Sequence, residues 1–254
     1  MGQQVKIYRD LEFLGNASHT GNIKGNISVE KVVYVDHFQK KAIDTTFDWN
    51  SNGQSAGAPT HEAPHIMKIS TGTQDDDEWA VSTGLNYRGQ YNSIFEVRAR
   101  NSDVTGLQFF IGFADATYYS NKIAFAYSGT TLDSECADGV GFVFDPDANV
   151  DYVYGVSVKN TADGEDIFST AHTLVNDIWF TCRVELVDNG TTTNAFFYFN
   201  KTGAEINPIT DLIGMEADAV TRTDPLCLTL AVMNFGAGTD NIDVDYVKTW
   251  SDPQ

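Results

Sequence analysis

Alternation of apolar and polar positions dominates the chain from about residue 65 onward. In Phe95-Glu96-Val97-Arg98-Ala99-Arg100 the apolar residues are 95, 97 and 99, while Glu96, Arg98 and Arg100 fall on the other side. In Phe180-Thr181-Cys182-Arg183-Val184-Glu185-Leu186 positions 180, 182, 184 and 186 are apolar and the residues between them polar. Successive side chains of a strand point to opposite faces, so both segments predict antiparallel strands with one buried and one wet face. Further strands are predicted at Leu107 to Phe113, Gly139 to Phe144, Tyr152 to Lys159, Asn194 to Phe199, Leu226 to Phe235 and Ile242 to Trp250. Several of these lack clean alternation, as strands covered on both faces do. Asp188-Asn189-Gly190 predicts a hairpin turn, because Asn-Gly tolerates the positive φ of a tight turn. Helical texture is confined to residues 210–220. The pattern predicts an all-β antiparallel sandwich or jelly roll over residues 65–254.

The first part of the chain has a different texture. The dipeptides Gly15-Asn16, Gly21-Asn22 and Gly25-Asn26 precede the β-rich run from Ile27 to Val35. Short strands between Gly-Asn turns cannot bury a core alone, so they pack on a body or on copies of themselves. Residues 1–45 therefore read either as an extension folded over its own domain or as a docking and oligomerising arm. In the second reading Ile27, Val29, Val32, Val33 and Val35 supply the apolar contact. Residues 46–64, small and polar with Pro59 and Pro64, read as a linker or long loop.

Composition narrows the function. Among 254 residues, 16 Lys+Arg stand against 35 Asp+Glu, a formal net charge of −19. A chain so acidic repels a phosphate backbone, which argues against nucleic acid as partner. Hydrophobic residues at 42%, with 16 Phe and 11 Tyr, are enough for a substantial core. No apolar stretch has signal-peptide length or the roughly 18 residues of a membrane span, so neither secretion nor a membrane is expected. Lys6 stands where an N-myristoylation motif needs Ser or Thr. Cys136, Cys182 and Cys227 are odd in number and far apart, which predicts reduced thiols, two of them inside strands.

Candidate chemistry is sparse. His19, His37, His61, His65 and His172 make no metal-ligand spacing, and His61 and His65 read as exposed loop residues. Nucleophile elbows, phosphate loops and dinucleotide fingerprints are absent. Asp145, Asp147, Asn149 and Asp151 alternate as Asp-x-Asp-x-Asn-x-Asp, the oxygen-rich pattern a calcium ion prefers. Val150 and Val156 occupy the positions where an EF-hand needs Gly and Glu, so the alternative is an acidic β-turn around Pro146. Asp75-Asp76-Asp77-Glu78 reads as an exposed acidic loop. An aromatic ring with a few polar groups makes a sugar site, and Trp79, Tyr118, Tyr119 and Tyr127 are the candidates, with core packing as the alternative. Trp179 and Trp250, at strand ends, read as packing residues.

Three segments together resemble a known family. Gly139-Val140-Gly141-Phe142-Val143-Phe144-Asp145-Pro146-Asp147 with Tyr154 to Lys159, then Phe109 to Ala116, then Ile242 to Trp250, resemble the strands of concanavalin A-like lectin/glucanase domains of tailed-phage structural proteins. The last strand is also similar to the closing strand of laminarinase-like glycoside hydrolases. Those hydrolases carry their acids as Glu-x-Asp-x-x-Glu on one strand, and this chain has no such triplet. Asp243 and Asp245 share a strand face, but in the terminal strand, and read as solvated or turn-supporting. With the Gly-Asn turns, the resemblance implies a non-enzymatic virion protein, made in the host cytoplasm, decorating a capsid or a fibre. Its expected partners are itself, as a homotrimer, and a major capsid or tail protein. The alternative is a carbohydrate-binding, lectin-like module.

Overall fold

The structure is a computed structural model that describes residues 32–36, 38, 49–53, 57–62, 65–115, 123–148, 150–163, 167–168 and 172–252. Among these, the first nine strands are β1 (Val32–Asp36), β2 (Asn50–Gly53), β3 (Ala58–Glu62), β4 (Ile66–Ser70), β5 (Glu78–Ser82), β6 (Ile94–Asn101), β7 (Leu107–Ala114), β8 (Phe125–Ser128) and β9 (Thr131–Ser134). The second nine are β10 (Gly139–Phe144), β11 (Val153–Lys159), β12 (Ala162–Asp163), β13 (Ile167–Phe168), β14 (Phe180–Asp188), β15 (Thr193–Asn200), β16 (Leu212–Val220), β17 (Cys227–Asn234) and β18 (Asn241–Ser251). The one helical element among the described residues is a 3-10 turn at Gly89–Tyr91.

Two eight-stranded sheets pack face to face. The first runs β16-β15-β14-β6-β18-β4-β3, with β1 also on β18; the second runs β12-β11-β10-β7-β17-β5-β2, with β13 also on β11. All named ladders are antiparallel, as the alternating segments predict. The inward residues Phe95, Val97 and Ala99 of β6 and Phe180, Cys182, Val184 and Leu186 of β14 meet Leu107, Phe109, Ile111 and Phe113 of β7 in one core. Phe109 stacks on Phe180 of the facing sheet at 5.5 Å, which ties the sheets together through rings, and on Phe144 of its own sheet at 5.8 Å. Each such buried side chain stabilises the fold by about 1.5–3 kcal/mol.

β7 and β10 are buried at every residue, which explains their unbroken apolar runs. A second apolar cluster covers their outer face, where Phe110, Ala114, Val143, Val156 and Val158 pack under Ile123, Phe125, Tyr127 and Cys136 of the β8–β9 region. The Asn189-Gly190 turn lies between β14 and β15, and Gly190 takes φ +90. All three cysteines are free and buried.

Three expectations are corrected. Residues 50–53 and 58–62 form strands where a linker is expected: β2 pairs with β5 and β3 with β4. Both are edge strands, which need no apolar alternation and tolerate a proline such as Pro59. Residues 212–220 form β16 where helical texture was read, with two register shifts against β15. Gly214 disfavours a helix, and pairing with β15 decides the segment. Finally, β1 adds to β18 of the same chain, from Val32 opposite Ser251 to Asp36 opposite Val247, so this part of the expected arm belongs to the first sheet. Val35 is 43% exposed there. Ile27 and Val29 lie outside the described residues, as do the side chains of Val32 and Val33.

Candidate functional site

The outer faces of the two sheets differ in kind. On the second sheet, the outward positions of the two central strands are Gln108, Phe110, Gly112 and Ala114 of β7 and Gly139, Gly141 and Val143 of β10. No carboxylate stands among them, and the β8–β9 hairpin region lies over this surface. Phe110 packs at a tilt against Phe125 at 5.2 Å, and the ring of Phe110 lies where Cβ atoms on Gly112 and Gly141 would sit.

The aromatic candidates on this side are packing residues. Trp79 is half-buried and packs against the inner core, and Gly53 on β2 makes room for it, since a Cβ there would overlap the indole. Tyr127 is 5% exposed and packs at a tilt against Tyr154 at 4.6 Å. Tyr118 and Tyr119 lie outside the described residues. The structure does join Tyr127 to the acidic turn: its N–H donates to Asp145 Oδ2 at 2.7 Å, and Asp147 N–H donates to Asp145 Oδ1 at 2.9 Å. Ala148 N–H closes a turn onto the Asp145 carbonyl at 3.2 Å. Burial raises the Asp145 pKa above the usual carboxylate range, against these two N–H bonds. Asp147 and Asp151 point to solvent, and Asn149 lies outside the described residues. No cluster of three His, Cys, Asp or Glu side chains poised for a metal occurs among the described residues. His61 lies in β3 with its ring 6.0 Å from Phe38, a packed position where an exposed loop is expected, while His65 is exposed.

The first sheet turns a charged and aromatic surface outward, built by the alternation of β6, β14 and β18. Glu96 is fully buried on this side. Its Oε2 accepts from Arg183 Nε at 2.9 Å and Nη2 at 2.5 Å, and its Oε1 accepts from the Tyr246 hydroxyl at 2.8 Å and Lys248 Nζ at 3.4 Å. Arg183 also donates to Glu185 at 3.2 Å, whose other oxygen accepts from the Tyr198 hydroxyl at 3.3 Å. Burial opposes the Arg183 cation, but the hydrogen bonds and charge of Glu96, with Glu185 behind, outweigh it and raise its pKa. Burial, then the Glu96 charge, pushes the Tyr246 phenol well up, and burial, then Glu185, raises Tyr198.

Asp243 and Asp245 are ion-paired here, where solvated carboxylates are expected. Arg100 donates to Asp243 through Nε at 3.0 Å and Nη2 at 2.8 Å, and Arg98 donates to Asp245 at 2.6 Å and to the Gly203 carbonyl at 2.8 Å. Both guanidiniums lie against the Trp179 ring, at 4.5 and 4.8 Å, so Trp179 is a packing residue as expected.

Trp250 is not confined to packing. It stands half-exposed on the same surface, with Arg183 5.6 Å from its ring centre. The ladders place it in one cross-strand row: Trp250 faces Ile94, Ile94 faces Glu185, Glu185 faces Phe196 and Phe196 faces Met215. Ile94, Glu185 and Phe196 are half-exposed and Met215 is 45% exposed. The signal for this surface in the sequence is the charged half of the alternation in β6 and β14, which marks the outward face without naming what it does.

No protein-family model matches the chain, and no curated protein matches its sequence. Solved structures do match in fold. The carbohydrate recognition domain of Emp47p superposes with a TM-score of 0.55 at 9% identity, covering 87% of this chain and 95% of that one. Rv0315 of Mycobacterium tuberculosis, described as an immunostimulatory antigen and pseudo beta-1,3-glucanase, gives 0.55 at 10%, covering 87% and 98%. A laminarinase from Flavobacterium gives 0.53 at 12%, covering 87% and 99%. The chain therefore has the concanavalin A-like jelly-roll fold shared by lectin and glycoside hydrolase domains.

Proposed function

We propose that the chain is a carbohydrate-binding, lectin-like module without hydrolytic activity. The observation that carries this reading is the row on the first sheet, where the half-buried Trp250, Ile94, Glu185 and Phe196 stand in line and Glu185 is fixed by Arg183 and Tyr198. A ring for an apolar sugar face and fixed polar groups for hydroxyls are what a sugar site needs. The fold's occurrence in a carbohydrate recognition domain and in a pseudo-glucanase supports it. Hydrolysis needs two carboxyl groups flanking the scissile bond. The outward positions of β7 and β10 on the second sheet carry no carboxylate, and on the first sheet Glu96, Glu185, Asp243 and Asp245 are each bound by an arginine.

None of the neighbours named above is a virion protein, and the capsid or tail reading rests on the resemblance of the strand segments and on the Gly-Asn turns. The test is a screen of immobilised neutral and acidic polysaccharides with the intact protein and with Trp250→Ala. Retention that falls in the variant supports the reading; release of reducing sugar from a retained β-glucan would make the protein an enzyme.

A further inference from the structure

The row on the first sheet also has a direction. Trp250 on β18 and Phe196 on β15 are separated by three strand intervals, through β6 and β14, or about 14 Å. Met215 on β16 continues the line one interval further, and Val33 of β1 holds the register position beyond Trp250. The row therefore crosses the strands at right angles, with Arg183 on one side of it and Val187, 40% exposed, on the other. A single sugar ring does not reach from one aromatic to the other; a run of linked sugars does.

Charge selects among such chains. Arg98, Arg100, Arg183 and Lys248 are each bound to a carboxylate of the same face, so the surface offers no surplus cation to an acidic polymer. The chain as a whole carries −19, which repels polyanions further. A protein partner needs about 800 Å² of complementary surface on each side. A row bordered on one side by the internally paired Arg183 and Lys248 does not supply that, and an unbranched polymer laid along it needs far less.

Resting on the carbohydrate-binding reading, we infer that this row is an extended subsite for a linear, neutral polysaccharide running perpendicular to the strands, held internally and not by its end. Trp250 and Phe196 would stack on two separated sugars, with Glu185 between them addressing hydroxyls.

The test is titration calorimetry with neutral β-1,3-glucan oligosaccharides from di- to octasaccharide, with alginate as the acidic control. The expected result is affinity that climbs by about tenfold or more with length and levels off once both rings are spanned. Trp250→Ala and Phe196→Ala should each flatten that climb, and Trp250→Phe should retain most of it, which separates ring stacking from a folding defect. Ile209→Ala, 89% exposed and outside the row, should leave it unchanged. A disaccharide bound as tightly as the octasaccharide, stronger binding of alginate, or a length dependence untouched by both ring variants would each overturn the inference. A concentration-dependent dimer lost in Trp250→Ala would overturn it in favour of a second copy as occupant. Failure of every saccharide in the wider screen would instead sink the carbohydrate-binding reading itself.

Discussion

Glu96 and Arg183 face each other across β6 and β14, and the carboxylate takes both Nε and Nη2 of the guanidinium on a single oxygen. Its other oxygen is held by Tyr246 and Lys248. Glu96 has no exposure, whereas the side chains of Arg183 and Lys248 keep 17% and 20%. Removing one partner of a buried ion pair strands the other charge, at a cost of about 3–5 kcal/mol. Because the cations retain some water, Glu96→Ala is expected at the lower end, about 3 kcal/mol in urea unfolding. Tyr246→Phe should cost about 1.5 kcal/mol, the size of a hydrogen bond to a charged group. The double variant should cost less than the sum, since both act on one carboxylate. Strict additivity would show that the network is not a unit.

Gly141 stands opposite Gly112 in the β10–β7 ladder, and the Phe110 ring covers both. A Cβ on Gly141 would lie 2.5 Å from the Ile111 carbonyl oxygen and 2.7 Å from Phe110 Cε2. The backbone contact cannot yield by a rotamer change, and overpacking of this kind costs about 1–3 kcal/mol. Gly141→Ala should lower the melting temperature in calorimetry and loosen the β8–β9 hairpin region, read as faster amide exchange over residues 123–136. A melting temperature equal to the parent's would mean that the sheet has slack the packing does not show.

The strands of the sandwich were legible because alternation is local: β6 and β14 declare their inner and outer faces within a few residues. β7 and β10 were legible by the opposite sign, continuous burial. What escaped the sequence depends on pairing. β2 and β3 are edge strands whose small and polar residues carry no period, and β16 is an edge strand with a helical texture, so only their partners β5, β4 and β15 define them. The surface row escaped for the same reason. Trp250, Ile94, Glu185 and Phe196 are far apart in the chain, and the register of three ladders brings them into line. Tyr127 and Asp145 were each singled out, but the N–H bond that unites them follows from the hairpin's place over the second sheet.

The thiols give an independent check on the core. Burial pushes the Cys227 thiol up to about 11, and raises Cys182 well above its ordinary value with the Glu96 charge adding to it. The thiolate is the reactive form, so at pH 8 these side chains are both protonated and covered. A chromogenic disulfide reagent should release almost no colour from the native protein and the equivalent of three thiols after unfolding. Rapid labelling of Cys227 in the native state would place β17 elsewhere than in the middle of the second sheet.

Asp145 makes a pH prediction with a definite sign. Burial raises its folded pKa above the ordinary value of 3.8, outweighing the N–H bonds from Tyr127 and Asp147. A carboxyl with a raised folded pKa binds its proton more tightly in the folded state. Its contribution to stability therefore grows as pH falls through the folded pKa, and levels off below the unfolded one. Asn cannot titrate, and its amide sets an N–H₂ against one of the two backbone N–H donors that Asp145 now accepts. Asp145→Asn should thus be less stable than the parent at neutral pH, by about 1–3 kcal/mol for the stranded donor. The gap should widen on acidification towards pH 4, because the parent gains from protonation and the variant does not. Other carboxylates, including the ion-paired Asp188 whose pKa Arg222 lowers, are common to both proteins and cancel in the difference. Urea unfolding of the pair at several pH values measures it, and a gap that narrows towards acid would mean that the folded state favours the Asp145 anion.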